Sequence, residues 1–170
     1  KQQFVAEVKL KKEIDNYAIN ADNTLAAVVY YKGGKLSNGE KIDVLEFPSG
    51  KKLSSLELAD PKWDVYGTAV GPDPFDPERL MIRGMYMHRE QYTNDTRLFR
   101  LQRERRRKFF PDTFYTHVGY LSSTCLPLNG DSCFMSSRDR PAIFLDRNGN
   151  LAGTYKDPFF DDATSASINP

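Results

Sequence analysis

The chain has 170 residues, 39% of them hydrophobic and 28% charged, which is enough to bury a core as one domain and too balanced for a disordered or membrane-embedded chain. Its 24 lysines and arginines stand against 23 aspartates and glutamates, for a net charge of +1, so no global field favours nucleic acid or an anionic membrane surface. No apolar run approaches the roughly 18 residues that a spanning helix needs.

Residues 1–13 alternate Phe4, Glu7 and Lys9 with Val5, Val8 and Leu10 before further lysines, a pattern that suits a strand or a short amphipathic helix. Because the chain starts at Lys1 rather than Met, a processed or trimmed protein is expected. Ala21-Asp22-Asn23-Thr24 reads as a turn, since Asp and Asn tolerate left-handed backbone, and it launches a buried strand over 25–31. After the glycines at 33–34 and 39, Ile42, Val44 and Glu46 alternate with Asp43, Leu45 and Phe47. Pro48-Ser49-Gly50-Lys51 then turns the chain into 53–58, so 42–58 is predicted to be a hairpin.

Residues 71–78 carry three prolines in eight positions, which excludes a central strand or a helix and predicts an exposed, semi-rigid loop. An alternating strand follows over 80–87, then a polar loop over 89–95. Residues 96–110 admit two readings. Asn94, Asp95 or Thr96 would cap a helix with Leu98, Leu101 and Phe109 on one stripe. Alternatively, Phe99 and Leu101 share one face of a strand, and a charged turn over 104–107 leads into a second strand. The strand reading fits the rhythm of the chain and is adopted.

Both cysteines fall in Cys125-Leu-Pro-Leu-Asn-Gly-Asp-Ser-Cys133. A three-residue loop at Leu128-Asn129-Gly130, with Gly130 left-handed, would set Cys125 directly opposite Cys133. Cross-strand neighbours are about 4.5–5.5 Å apart, a spacing that a disulfide accepts. A Cys125–Cys133 bridge is therefore expected, and with it an oxidising compartment, periplasmic or secreted. Asp146-Arg147-Asn148-Gly149-Asn150 between two apolar runs predicts another hairpin. The acidic and then Ser/Ala-rich residues 157–170 read as an extended tail on what is otherwise a single β-rich domain over 1–170.

Taken together, a pattern of short strands and glycine turns runs three times: over 17–58, 65–110 and 117–156. The run Ala21-Asp22-Asn23-Thr24-Leu25-Ala26-Ala27-Val28-Val29, followed by the hairpin over 42–58, resembles a blade of β-propeller proteins, in which a turn precedes an inner strand and a glycine turn closes an outer hairpin. The resemblance implies an all-β fold of antiparallel sheets. Three passes are fewer than the four or more blades of a closed propeller, so the expectation is an open blade-like array or a β-sandwich with the same strand rhythm.

Chemistry-bearing motifs are sparse. No phosphate loop or dinucleotide fingerprint occurs, and two histidines with two cysteines make a poor metal set, so neither a metal nor another cofactor is expected. His117 with Ser122 or Ser123 would be the pair for a serine-type hydrolase, but no nucleophile-elbow sequence accompanies them, and an enzyme is not expected. Seven cations fall within twelve residues, Arg97 to Lys108, among phenylalanines. In a near-neutral chain, this combination favours a protein partner over nucleic acid. The candidate partner-binding residues are Pro72, Asp73, Phe75 and Asp76 of the proline loop, Arg103, Arg105, Arg106 and Arg107 of the basic segment, and Leu128 and Asn129 of the stapled hairpin. The functional expectation is an extracytoplasmic protein-binding module, an inhibitor or immunity protein that neutralises a secreted toxin or enzyme. The alternatives are a subunit or fragment of a larger propeller-like assembly and a serine-type hydrolase.

Overall fold

The structure, a computed structural model, describes residues 10, 12–30, 39–103, 108–121, 124–136 and 142–155. Twelve strands form three four-stranded antiparallel sheets, and no helix occurs among the described residues. The first sheet is β1 (Ile14–Ile19), β2 (Leu25–Tyr30), β3 (Gly39–Glu46) and β4 (Lys52–Ala59). The second is β5 (Trp63–Pro72), β6 (Leu80–His88), β7 (Asn94–Arg103) and β8 (Phe109–Val118). The third is β9 (Leu126–Asn129), β10 (Ser132–Met135), β11 (Ala142–Asp146) and β12 (Leu151–Tyr155). Each sheet is a meander in which sequence neighbours pair, which is the construction of a propeller blade. The chain is an all-β array of propeller-like blades.

Alternation of side chains stacks the blades. On β2, Ala27 and Val29 join Ile42, Val44, Leu56 and Leu58 of the first sheet in a core shared with Leu80, Ile82, Tyr86, Phe99 and Leu101 of the second. Their neighbours in sequence on the second sheet, Met81 and Leu98, point the other way. There they pack with Cys125, Cys133, Met135, Ile143 and Leu145 of the third. The middle blade is thus apolar on both faces, as a sheet buried on both sides must be. The innermost strands of the first two blades are also tied directly, because the Val70 amide donates to Asn16 Oδ1 at 2.8 Å.

The hairpin over 42–58 forms as expected, with Ile42 opposite Leu56. Residues 96–103 and 109–110 are strands, which settles the choice against a helix for the described part of that segment. Four expectations are corrected. The second pass does not end at 110: β8 continues to Val118, so His117 closes the second blade rather than opening the third. The polar loop placed over 89–95 ends earlier, because β7 begins at Asn94.

The proline segment is not wholly an exposed loop. β5 runs through Gly71 to Pro72, and Asp73 is buried. Pro72 is tolerated because β5 is an edge strand, and Pro111 on β8 and Pro127 on β9 also lie on sheet edges, where a missing N–H costs no ladder bond.

The stapled hairpin takes a different register. Asn129 lies opposite Ser132, and an irregularity follows that sets Cys133 opposite Pro127. Gly130 is not among the left-handed glycines. The cause is the Asn129 side chain, whose Oδ1 accepts from the Asp131 and Ser132 amides at 2.9 Å each and closes the turn itself. Cys125 and Cys133 nevertheless form the disulfide, with Cα atoms 5.7 Å apart. The expectations for residues 1–9 and 31–38, for the charged turn at 104–107, and for the tail over 157–170 lie outside the described residues.

Candidate binding edge

In a four-stranded meander, the first and third turns share one edge of the sheet and the second turn occupies the other. In the first two blades these edges coincide, because the Asp22 amide in the β1–β2 turn donates to Pro77 O in the β5–β6 loop at 3.1 Å. Between them opens a cleft of about 710 Å³. Its wall includes Asp22 and Thr24 of the first turn, Glu46, Pro48 and Ser49 of the β3–β4 turn, Glu78 and Arg79 of the β5–β6 loop, and Arg103 at the end of β7. Leu25, Leu53, Leu101 and Phe109 contribute apolar surface.

Local sequence makes these turns rigid. Asn20 is buried, and its Oδ1 accepts from the Thr24 and Leu25 amides at 2.9 Å each while its Nδ2 donates to Thr24 Oγ1 at 3.0 Å. Asn23 takes φ 56° beside it, a conformation that Asn adopts more readily than most residues. Gly50 (φ 69°) allows its amide to reach Glu46 O at 2.8 Å, and Ser49 Oγ donates to Glu46 Oε2 at 2.7 Å. In the β5–β6 loop, Asp76 accepts from the Glu78 amide at 3.0 Å and pairs with Arg79 at 2.9 Å. Carboxylates, guanidiniums and hydroxyls thus ring an apolar floor, an arrangement that can hold a polypeptide segment by hydrogen bonds, ion pairs and contact.

Of the residues expected to bind a partner, Arg103 lines this cleft, with its guanidinium 5.9 Å from the Phe109 ring. Pro72 is exposed at the strand end, whereas Asp73 and Phe75 turn inward. Asp73 forms a charge contact with Arg100 at 3.0 Å, and that guanidinium lies over Phe75 and Phe114 at 5.4 and 4.2 Å. Asp76 serves the loop through Arg79. Leu128 and Asn129 are exposed in the third blade, apart from the cleft wall. Arg105, Arg106 and Arg107 lie outside the described residues, as do Ser122 and Ser123. His117 stands on β8 with its ring stacked near Tyr115 at 6.3 Å.

The basic segment does not form a single patch where it is described. Arg97 turns toward the first blade, pairing with Asp60 at 2.7 Å and lying over Trp63 and Tyr86 at 4.9 and 4.2 Å. Arg100 turns toward the third. Burial pushes Asp60 upward, but hydrogen bonds from Arg97 and the Lys62 amide outweigh it and hold the carboxyl below its ordinary range. Sequence reasoning missed Asp22, Glu46, Glu78 and Arg79. The available signal was positional: Asp22 sits in the first turn of the first pass, Glu78 and Arg79 in the first turn of the second, and Glu46 where β3 enters the third turn of the first.

No protein-family model matches the chain, and no curated protein matches it. Among solved structures, it is similar to BamB from Moraxella catarrhalis, at 14% identity and a TM-score of 0.49, over 86% of this chain and 38% of that one. It is also similar to the C-terminal WD40 domain of Sif2, at 11% identity and a TM-score of 0.44, over 90% of this chain and 40% of that domain's chain. Raptor from Chaetomium thermophilum is similar at 11% identity and a TM-score of 0.36, over 89% of this chain and 17% of that one. The chain spans less than half the length of each of these structures.

Proposed function

We propose that this chain is a protein-binding segment of a larger propeller-like assembly, receiving its partner at the cleft between the first two blades. The observation that carries the reading is the meeting of turns from two rigidly stacked sheets around one cleft of about 710 Å³. Loops held on a rigid frame lose little entropy on binding, so such surfaces are suited to recognition. The Cys125–Cys133 disulfide supports an extracytoplasmic setting. This reading gives the chain no catalytic role. It favours the assembly over the narrower expectation of an inhibitor or immunity protein, because the mixed charge of the cleft suits a polypeptide partner without selecting a toxin or a secreted enzyme.

The test is capture of a partner from an extract of the source organism by the immobilised chain, compared across variants. Arg103→Glu and Glu78→Lys alter the cleft wall, while Glu90→Lys alters the exposed β6–β7 turn on the other edge. A specific partner retained by Glu90→Lys and lost by both wall variants supports the reading. Equal capture by all three overturns it.

A further inference from the structure

One sequence motif lies on the edge that the cleft does not use. Asn94-Asp95-Thr96 is the single Asn-x-Ser/Thr triplet in the chain. At this spacing an asparagine accepts an N-linked oligosaccharide, and the hydroxyl two residues on is read by the transferring enzyme. Such a triplet also arises by chance, and the setting of this one is what gives it weight.

Asn94 opens β7 opposite Met87, directly after the β6–β7 turn. It is exposed, and its carboxamide makes no hydrogen bond among the described residues. The turn before it is tightly built. The His88 amide donates to Thr93 O at 2.9 Å, the Tyr92 amide donates to His88 O at 3.0 Å, and His88 Nδ1 accepts from the Glu90 and Gln91 amides at 3.3 and 3.2 Å. Tyr92 takes φ 52° there, a left-handed conformation uncommon for a bulky residue, and its side chain is 76% exposed. Val118, opposite Asp95, is 66% exposed. Asn94 thus projects from a rigid edge, flanked by apolar surface that a bulky polar group would cover.

Thr96 is in the contrary position. It is only 1% exposed, its hydroxyl donates to Gly119 O at 2.8 Å, and the same oxygen accepts from the Leu121 amide at 3.0 Å. Leu121 is itself fully buried against the third sheet. In the folded chain the hydroxyl is therefore closed off and engaged twice. Residues 94–96 are synthesised before 119–121, so it is open only until those later residues close over it.

We propose that Asn94 carries an N-linked oligosaccharide, attached before the second blade closes. The donor is a lipid-linked oligosaccharide diphosphate. Asn94 Nδ2 forms a bond to C1 of the first sugar and loses one proton, while the bond from C1 to the diphosphate oxygen breaks and the lipid diphosphate leaves with its electron pair. An oxidising compartment, which the Cys125–Cys133 bridge supports, is also where secreted chains meet such donors. The glycan stands on the edge away from the cleft, so the inference is independent of the binding reading above.

The experiment is peptide mass analysis of the chain purified from its source organism, before and after enzymatic release of N-linked glycans. The peptide bearing Asn94 should carry oligosaccharide mass, and release should leave aspartate at position 94. Translation with microsomes that hold the lipid-linked donor supplies the variants. Wild type and Thr96→Ser should gain one glycan, and Asn94→Gln and Thr96→Val none; because transfer precedes folding, a variant that folds poorly still reports on it. Offered to the same enzyme and donor, the folded, unmodified chain should react at least about tenfold more slowly than the reduced, unfolded chain, since the hydroxyl is freed only by local opening. A bare Asn94 in the natural protein overturns the proposal whatever the microsomes do. Modification of Asn94→Gln places the glycan elsewhere and also overturns it. Equal rates for folded and unfolded chains overturn the order of events.

Discussion

Arg100 and Asp73 meet at 3.0 Å between the second and third blades, with the Asp73 side chain fully shielded and Arg100 18% exposed. The pair is enclosed by Phe75 and Phe114, whose ring faces attract the guanidinium. Removing one member of a buried pair leaves the other charge without compensation, a loss of about 3 kcal/mol or more. Asp73→Ala is therefore expected to lower the denaturant midpoint strongly. The double variant Asp73→Ala/Arg100→Met should lose less than the sum of the two single changes. Additive losses in equilibrium unfolding would show that the contact is incidental.

That pair also shows where sequence reading succeeds and where it stops. Alternation and turn chemistry are local, so the hairpin Ile42 to Leu58, the turn at Gly149 and the pairing of the only two cysteines could be read from neighbours in the chain. The fate of Asp73 could not. Three prolines nearby argue for an exposed loop, and only the third dimension brings Arg100 beneath it. The same holds for Asn16, whose bond to the Val70 amide spans 54 residues. In the stapled hairpin, the glycine was weighed and the competing Asn129 side chain was not, so the bridge was anticipated and its register was not. The cleft was the least legible feature, because its wall draws a few residues from each of four separate segments of two blades.

Reduction of the Cys125–Cys133 bridge is expected to lower stability by about 2–3 kcal/mol, the loop-entropy value for so short a closed loop. Both sulfurs are buried in the core between the second and third blades, so the reductant should act slowly on the native chain and completely once it unfolds. The control is Cys125→Ala/Cys133→Ala, which adds no polar group to that core. Thermal unfolding with and without reductant should differ for the wild type and coincide for the double variant. A wild-type midpoint indifferent to reductant would contradict the staple.

Gly149 and Gly153 stand four residues apart and should respond oppositely to alanine. Gly149 has φ 83°, and a Cβ there would meet the Phe114 carbonyl oxygen at 2.2 Å, a backbone atom that cannot move aside cheaply. Gly149→Ala is expected to cost more than the ~1 kcal/mol of an ordinary unfavourable glycine replacement. Gly153→Ala meets open space and should be neutral or slightly stabilising, because it restricts the unfolded chain. Comparable losses in the two variants would argue against the packing of the β11–β12 turn on β8.

Two carboxyls and two phenols, Asp43, Asp60, Tyr30 and Tyr86, should make stability depend on pH at both extremes. Burial pushes Asp43 upward, yet hydrogen bonds from Lys52, Ser55 and Tyr30 outweigh it and hold the carboxyl below its ordinary range. Asp60 behaves likewise through Arg97. A carboxyl held low in the folded chain contributes fully above its unfolded value of about 3.9, and that contribution is lost as pH falls through the lower folded value. Tyr30 is shifted the other way, pushed up to about 12 by burial and by the neighbouring Asp43. Burial also pushes Tyr86 up to about 12. A phenol raised in the folded chain keeps its contribution below its unfolded value of about 10 and loses it as pH climbs toward 12. Unfolding midpoints should therefore fall below about pH 4 and again above about pH 10. Asp43→Asn should flatten the acid limb and Tyr30→Phe the alkaline limb. A denaturation series across pH in which both variants kept the wild-type slopes would show that the Asp43 network does not govern either limb.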